Sequence, residues 1–196
     1  MLIGKRTDEQ LKAILPAWVE MFNKLAVSNE RRVRENLHVC FVPLIAAVKK
    51  GLAPHLKALF PYWLLHHFDP SREVVRAAKQ SLEAAFPSDQ KRRDLFSFCS
   101  TDLVTFFTAL FQHTPHTLSD MRIDTEQDAI ERYERVMSSG LSSLAHFVDI
   151  IGSLNGPAAQ AAALPTKLAT IFTPQLWSVC SSRTAINCAN LQAFAY

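Results

Sequence analysis

The sequence predicts an all-α fold of stacked helical hairpins, and three observations carry that prediction. The stretch Asn29-Glu-Arg-Arg-Val33-Arg34 returns as Asp69-Pro-Ser-Arg-Glu-Val74-Val75-Arg76, with Val33 and Arg34 each 42 residues ahead of Val75 and Arg76. Leu15-Pro16-Ala17-Trp18 is echoed by Phe60-Pro61-Tyr62-Trp63 at an offset of 45 residues. Between these marks apolar residues recur every three or four positions, the period of a helix with one buried face. A repeat of roughly 40–47 residues, each unit two helices, is the signature of a HEAT/ARM-like α-solenoid. About three to four hairpins of that size fit the chain.

Each element follows from local chemistry. Thr7 and Asp8 can cap a helix from about Glu9 to Leu25, with Leu11, Ile14, Leu15, Trp18, Phe22 and Leu25 on its buried face. Pro16 lies inside it and removes one backbone donor, so a bend is expected there and at Pro61 in the next unit. Ser28-Asn29 turns the chain into a second helix from about Arg31 to Lys50, with the stripe Val33, Leu37, Cys40, Phe41, Leu44 and Val48. Pro43 predicts a kink or a broken turn within it. Lys49-Lys50-Gly51 reads as its end: cations against the negative end of the dipole, then a left-handed glycine.

Pro54 suits the first turn of a third helix, which carries Leu56, Leu59, Phe60, Trp63 and His67. After the turn Asp69-Pro70-Ser71, a partner helix buries Val75, Ala78, Leu82, Ala85 and Phe86, and Pro87 ends it. Asp89 to Cys99 reads as a short basic helix. Ser100-Thr101-Asp102 opens another helix, with Leu103, Phe106, Phe107, Leu110 and Phe111 inside. Thr114 to Asp124 is a polar loop. Asp124-Thr125-Glu126 then starts the most regular helix, marked by Ile130, Tyr133, Met137, Leu141, Leu144, Val148 and Ile151, which Asn155-Gly156-Pro157 ends. Ala158 to Thr173 is alanine-rich and expected to be helical. The final apolar run, Leu191 to Tyr196, lacks the polar cap of a finished solenoid, and a truncated last hairpin is expected.

Composition narrows the function. Apolar residues make up 48% and charged residues 20%, a globular balance that excludes disorder. No apolar run approaches about 18 residues, so no membrane partner is expected. Thr7 to Gln10 interrupts any signal-peptide core. The four cysteines Cys40, Cys99, Cys180 and Cys188 are widely spaced and read as free buried thiols, and the expected location is the cytosol. From Lys24 to Lys57 seven basic residues face two acidic ones, whereas Ser119 to Glu134 holds six acidic residues and two arginines. Such asymmetry suits a polyanion or an acidic partner.

Catalytic and metal chemistry find little support. His66 and His67 are adjacent and point about 100° apart on a helix, so they cannot share one metal. His113 and His116 flank Pro115 without a cysteine or carboxylate at zinc spacing. With five glycines in the chain and no Gly-rich loop, a nucleotide cradle is not expected. The serines around Gly140 read as small packing residues. No cofactor is expected in this chain, and no enzyme activity of its own.

Trp18 and Trp63 read as core. Arg34 and Arg76 follow the repeat valines and read as ties to a turn aspartate, Asp69 for Arg34. Arg31, Arg32, Lys49, Lys50 and Lys57 have no apolar periodic role. Arg31 and Arg32 also open a helix, where cations oppose the dipole. These five are the candidate partner-binding residues, with phosphate the first ligand to consider.

The run Leu15-Pro-Ala-Trp18, Arg31-Arg-Val-Arg-Glu35, Val48-Lys-Lys-Gly-Leu-Ala-Pro-His-Leu-Lys57, Tyr62-Trp-Leu64, Ala77-Ala-Lys79, Glu83-Ala-Ala-Phe-Pro87 and Thr114-Pro-His-Thr-Leu-Ser-Asp120 resembles the N-terminal domain of the listerin family. The resemblance spans residues 15–151 and thins out from Gly152. It implies a listerin-like N-terminal helical domain over residues 1–151 and a weakly matching continuation over 152–196. Listerins are RING-type E3 ubiquitin ligases of ribosome-associated quality control. The resemblance therefore implies docking on stalled large ribosomal subunits, through rRNA and ribosomal proteins, beside a factor that holds peptidyl-tRNA. It also implies a longer parent whose zinc-binding RING recruits an E2. The alternative is a generic HEAT-repeat adaptor for a protein partner.

Overall fold

A computed structural model describes residues 8–154 and 168–181 of the 196-residue chain. Every regular element among them is helical. The helices are α1 (Asp8–Ala26), α2 (Arg31–Val48), α3 (Leu56–His66), α4 (Arg72–Ala85), α5 (Asp89–Phe98), α6 (Ser100–Leu110), α7 (Pro115–Leu118), α8 (Glu126–Leu154) and α9 (Pro174–Ser181), with a 3-10 helix at Lys49–His55. The chain divides into two compact units, Met1–Leu95 and Phe96–Tyr196.

In the first unit α1 packs on α2 and on α3, while α2 packs on α4 and α3 on α4. Like helices of the two hairpins therefore lie side by side. Arg31 reaches Glu73, and farther along His38 reaches Ser81, so α2 and α4 run parallel. The core is Leu15, Phe22, Phe41, Leu59, Phe60, Trp63 and Leu64, all essentially inaccessible to water. Trp63 is core as expected; its twin Trp18 is half-buried and stacks on Phe41 with ring centroids 6.1 Å apart.

The stripe of α2 keeps Leu37, Phe41, Leu44 and Val48 buried as expected but turns toward Arg34, His38 and Ile45 in place of Val33 and Cys40. Its buried residues are Arg34, Leu37, His38, Phe41, Leu44, Ile45 and Val48; Val33 is half-buried and Cys40 is exposed. The apolar pattern favours Val33 and Cys40, but Arg34 and His38 find polar partners inside and take the buried face. In α4 the buried residues are Val74, Ala77, Ala78, Ser81 and Leu82, with Val75 only half-buried. Of the cysteines whose side chains are described, Cys99 is buried and Cys40 exposed, a correction to the expectation of buried thiols throughout.

The prolines do not break the helices. α1 continues through Pro16, α2 through Pro43 and α3 through Pro61. The end of α2 also differs from expectation. The residue with positive φ is Lys49, at φ 48° and ψ −119°, and not Gly51. The chain then tightens into 3-10 turns that carry Leu52 into the core. By length and composition alone, the continuous stretch Arg31–His66 could cross a membrane. Three prolines interrupt it, and its buried Arg34, His38 and His66 are satisfied by neighbouring helices. It reads as the core of a helical bundle.

A buried polar chain ties the hairpins. Trp63 Nε1 donates to Ser81 Oγ at 2.9 Å. Ser81 Oγ lies 3.0 Å from His38 Nδ1, His38 Nε2 lies 2.7 Å from His66 Nδ1, and His66 Nε2 lies 2.9 Å from the Ala26 carbonyl. An indole can only donate and a carbonyl can only accept. His66 Nε2 donates to the Ala26 carbonyl, so with both imidazoles neutral His66 Nδ1 accepts from His38 Nε2 and His38 Nδ1 accepts from Ser81 Oγ, a hydroxyl that also lies 2.8 Å from the Ala78 carbonyl. The chain thereby joins α1, α2, α3 and α4.

In the second unit Phe96, Phe107, Phe111 and Phe147 form the aromatic centre. Gly140 lets α8 approach α6: a Cβ there would lie 2.7 Å from Leu110 Cδ2. The loop expected from Thr114 to Asp124 holds the short helix α7, capped by Thr114, whose Oγ1 accepts from the Thr117 amide. Asp124 is gripped by Arg132 at 2.5 and 2.8 Å, which holds its carboxyl below the usual carboxylate range. The helix expected over Ala158 to Thr173 falls largely outside the described residues, as do Asn155-Gly156-Pro157 and the run Leu191 to Tyr196.

Candidate polyanion-binding surface

All five candidate residues lie in the first unit, but they fall into two groups. Arg31 and Arg32 begin α2, while Lys49 and Lys50 follow its last residue. At about 1.5 Å per residue the two groups stand roughly 27 Å apart along the helix. Lys57 joins the second group in sequence, in the first turn of α3. The structure therefore places two basic sites at opposite ends of α2.

At the first end, Glu30 caps α2 without a side-chain bond, and no acidic residue sits in the first turn. Arg31 is half-exposed and approaches Glu73 at 3.4 Å and Glu35 at 3.7 Å. These two carboxylates offset its unfavourable position at the positive end of the helix. Glu73 is held below the usual carboxylate range, chiefly by the Ser71 hydroxyl. Arg32 is exposed and has no hydrogen bond or ion pair among the described residues. Of the two, Arg32 is the one whose charge faces solvent unopposed.

At the other end Lys49, Lys50 and Lys57 are all exposed. Lys49 sits in a backbone region that side chains other than glycine rarely enter, at a cost of order 1–3 kcal/mol. Its amide bonds to the Ile45 carbonyl.

Arg34 is a structural residue. Its guanidinium forks onto Asp69, with Nε to Oδ2 at 2.7 Å and Nη2 to Oδ1 at 3.2 Å, and its Nη1 donates to the Ser28 and Asn29 carbonyls at 2.8 and 2.9 Å. The expected tie to Asp69 is present. Arg76, expected to make the same tie, does not: it is exposed. The partner of Arg34 lies 35 residues on, in the turn before α4. Sequence periodicity alone missed Arg72, Arg76 and Lys79 as a group, although their spacing of four and three on α4 was available.

The histidines go elsewhere. His66 and His38 form the buried relay, His113 Nδ1 lies 3.1 Å from Thr117 Oγ1, and His116 lies 3.5 Å from Glu126 on the surface. Among the described residues no cluster of three metal-ligating side chains forms.

Comparison with known proteins completes the picture. A family model described as the E3 ubiquitin-protein ligase listerin, N-terminal domain, matches residues 1–190. The E3 ubiquitin-protein ligase listerin of Mus musculus is 37% identical over 145 residues, covering 74% of this chain and 8% of that protein. The listerin of Drosophila melanogaster is 36% identical over 149 residues, 75% of this chain and 8% of that protein. That of Gallus gallus is 33% identical over 148 residues, again 75% and 8%. The chain thus spans less than a tenth of the length of these relatives.

Proposed function

The chain belongs to the listerin N-terminal domain family, and on that premise we propose that it is the ribosome-docking segment of a listerin-type E3 ubiquitin ligase. In this reading it binds the stalled large ribosomal subunit, through rRNA and ribosomal proteins, beside the quality-control factor that holds peptidyl-tRNA. Ubiquitin transfer to the nascent chain belongs to a longer protein, through a zinc-binding RING that recruits an E2 in the cytosol. The paired hairpins α1/α2 and α3/α4 are then two units of a HEAT/ARM-like solenoid that spans the distance.

The observation that supports this reading is the pair of solvent-facing basic sites at the two ends of α2, in a chain of this family. Exposed lysines and arginines set on a rigid helix suit phosphate contacts, which position a protein on nucleic acid. The test is co-sedimentation of the chain with isolated large subunits and with whole ribosomes over a salt series. Preferential binding to the free subunit is expected, weakened by charge reversal at Arg32, Lys49, Lys50 and Lys57. The Arg31→Glu change is made separately, because it also disturbs the contact with Glu73. Because the two ends of α2 are about 27 Å apart, their effects should add in free energy. Equal binding to subunits and whole ribosomes, unchanged by any of these reversals, would leave a generic adaptor as the better reading.

A further inference from the structure

We propose that the exposed face of α4 built by Arg72, Arg76 and Lys79 is a further phosphate-binding surface, shaped for the backbone of double-helical RNA. The proposal rests on the ribosome-docking reading only for the source of that RNA.

The three residues stand at spacings of four and three, so they share one stripe of α4. All are exposed, and none has a hydrogen bond or ion pair among the described residues. Three other arginines of this unit behave differently. Arg34 is locked to Asp69, Arg31 approaches Glu73, and Arg92 is engaged by Asp89 and by the Phe86 carbonyl. The unit thus neutralises some of its guanidinium groups and leaves a contiguous set open.

The open set borders a concavity of about 400 Å³, lined also by Gln80, Val75, Asp69 and Glu83. Asp69 is buried beneath it with its charge already matched by the Arg34 fork. Glu83, at the far end, is the one lining carboxylate not so matched, and cations outnumber it. A trapped anion would therefore meet net positive charge.

Geometry favours a nucleic-acid backbone. Seven residues of helix from Arg72 to Lys79 cover about 10.5 Å. One strand of B-form DNA carries a phosphate about every 3.4 Å of its axis and an A-form strand spaces them more closely, so at least roughly three phosphates lie along the three cations. Two of the cations are guanidinium forks, which match phosphate oxygens in pairs. Val75 is the one apolar residue lining the concavity, and protein interfaces draw most of their affinity from buried aromatic and aliphatic anchors. No aromatic side chain lines it either, which disfavours single strands, whose bases need stacking platforms. A-form duplexes are held mainly through backbone contacts of this kind.

The experiment uses the full chain, a labelled short RNA duplex and purified large subunits. Binding is measured across a salt series for the wild type, for R72A/R76A/K79A, for the charge-conserving R72K/R76K, and for K91A/R93A as a control on exposed α5 cations. Helical circular dichroism verifies each fold. The expected result is that the triple variant lowers the slope of log affinity against log salt by about two to three, since each phosphate contact accounts for roughly 0.7 to 0.9. R72K/R76K should hold the slope near that of the wild type. A triple variant whose slope changes no more than that of K91A/R93A overturns the proposal. So does a triple variant that weakens subunit binding yet binds duplex RNA normally, because the cations would then meet an acidic protein. If the wild type binds duplex RNA through this face but ignores large subunits, the phosphate surface stands and the ribosome reading falls.

Discussion

Arg34 and Asp69 meet through two hydrogen bonds, 2.7 and 3.2 Å long, across 35 residues of sequence and with both side chains almost wholly shielded from water. The remaining guanidinium donor closes on the turn before α2, at the Ser28 and Asn29 carbonyls. One residue thus fixes the turn of the first hairpin to the turn of the second. Removing either partner strands a buried charge, which costs about 3–5 kcal/mol. Arg34→Ala and Asp69→Ala should each lower stability by that order in a denaturant titration. Arg34→Met with Asp69→Leu should lose much less than the sum, because neither charge is left alone. Equal losses for the double and the summed single variants would show that packing, not charge, holds the turns together.

Stability should depend on pH through His38. Burial, with the nearby His66 and His67 rings, holds its imidazole well below the usual range. Above about pH 6.5 it is neutral in both folded and unfolded chains and contributes no pH dependence. Below that, the unfolded chain takes up a proton that the folded chain refuses. Stability therefore falls as pH falls, by up to about 1.4 kcal/mol per pH unit from this group. In His38→Gln the slope between pH 6.5 and 5 should drop by about one proton. An unchanged slope would place the titration elsewhere.

Lys49 carries backbone strain that glycine would relieve. At φ 48° and ψ −119° its side chain crowds the backbone, whereas glycine enters this region freely. Lys49→Gly should raise stability by about 1 kcal/mol once glycine's own entropy cost is counted. That corresponds to a rise of about 2–4 °C in melting temperature for a chain of this size. Lys49→Val should lower it, because a β-branched side chain tolerates the conformation least.

Gly140 is set by close packing. A Cβ there would already press on Leu110, and the Phe111 ring edge lies 3.5 Å away. Gly140→Val should destabilise the second unit by about 1–3 kcal/mol through overpacking. Thermal unfolding followed by near-ultraviolet circular dichroism would report it, and no loss would mean that α8 and α6 separate readily.

Much of the helix plan was legible in the residues. Asp69-Pro70-Ser71, Pro87 and Thr125-Glu126 mark element boundaries that the structure keeps within a residue or two. What periodicity misassigned were polar side chains on buried faces. Arg34, His38 and Ser81 look like surface residues to a hydrophobic pattern, yet each has a partner 28–43 residues away that makes burial affordable. The candidate surface shows the same limit. Five basic residues that look alike in the sequence separate into Arg31 and Arg32 at the start of α2 and Lys49, Lys50 and Lys57 beyond its end, while Arg76, expected to be tied, is exposed.

Helicity, the positions of the hairpin turns and family membership follow from the order of the residues alone. Those properties reside in local spacing, in proline and in motifs that read along the chain. Which charges are neutralised and which remain free is settled by how the helices pack. That choice depends on distances between side chains far apart in sequence: Asp69 is near enough to consume Arg34, and no described carboxylate is near enough to consume Arg72, Arg76 or Lys79.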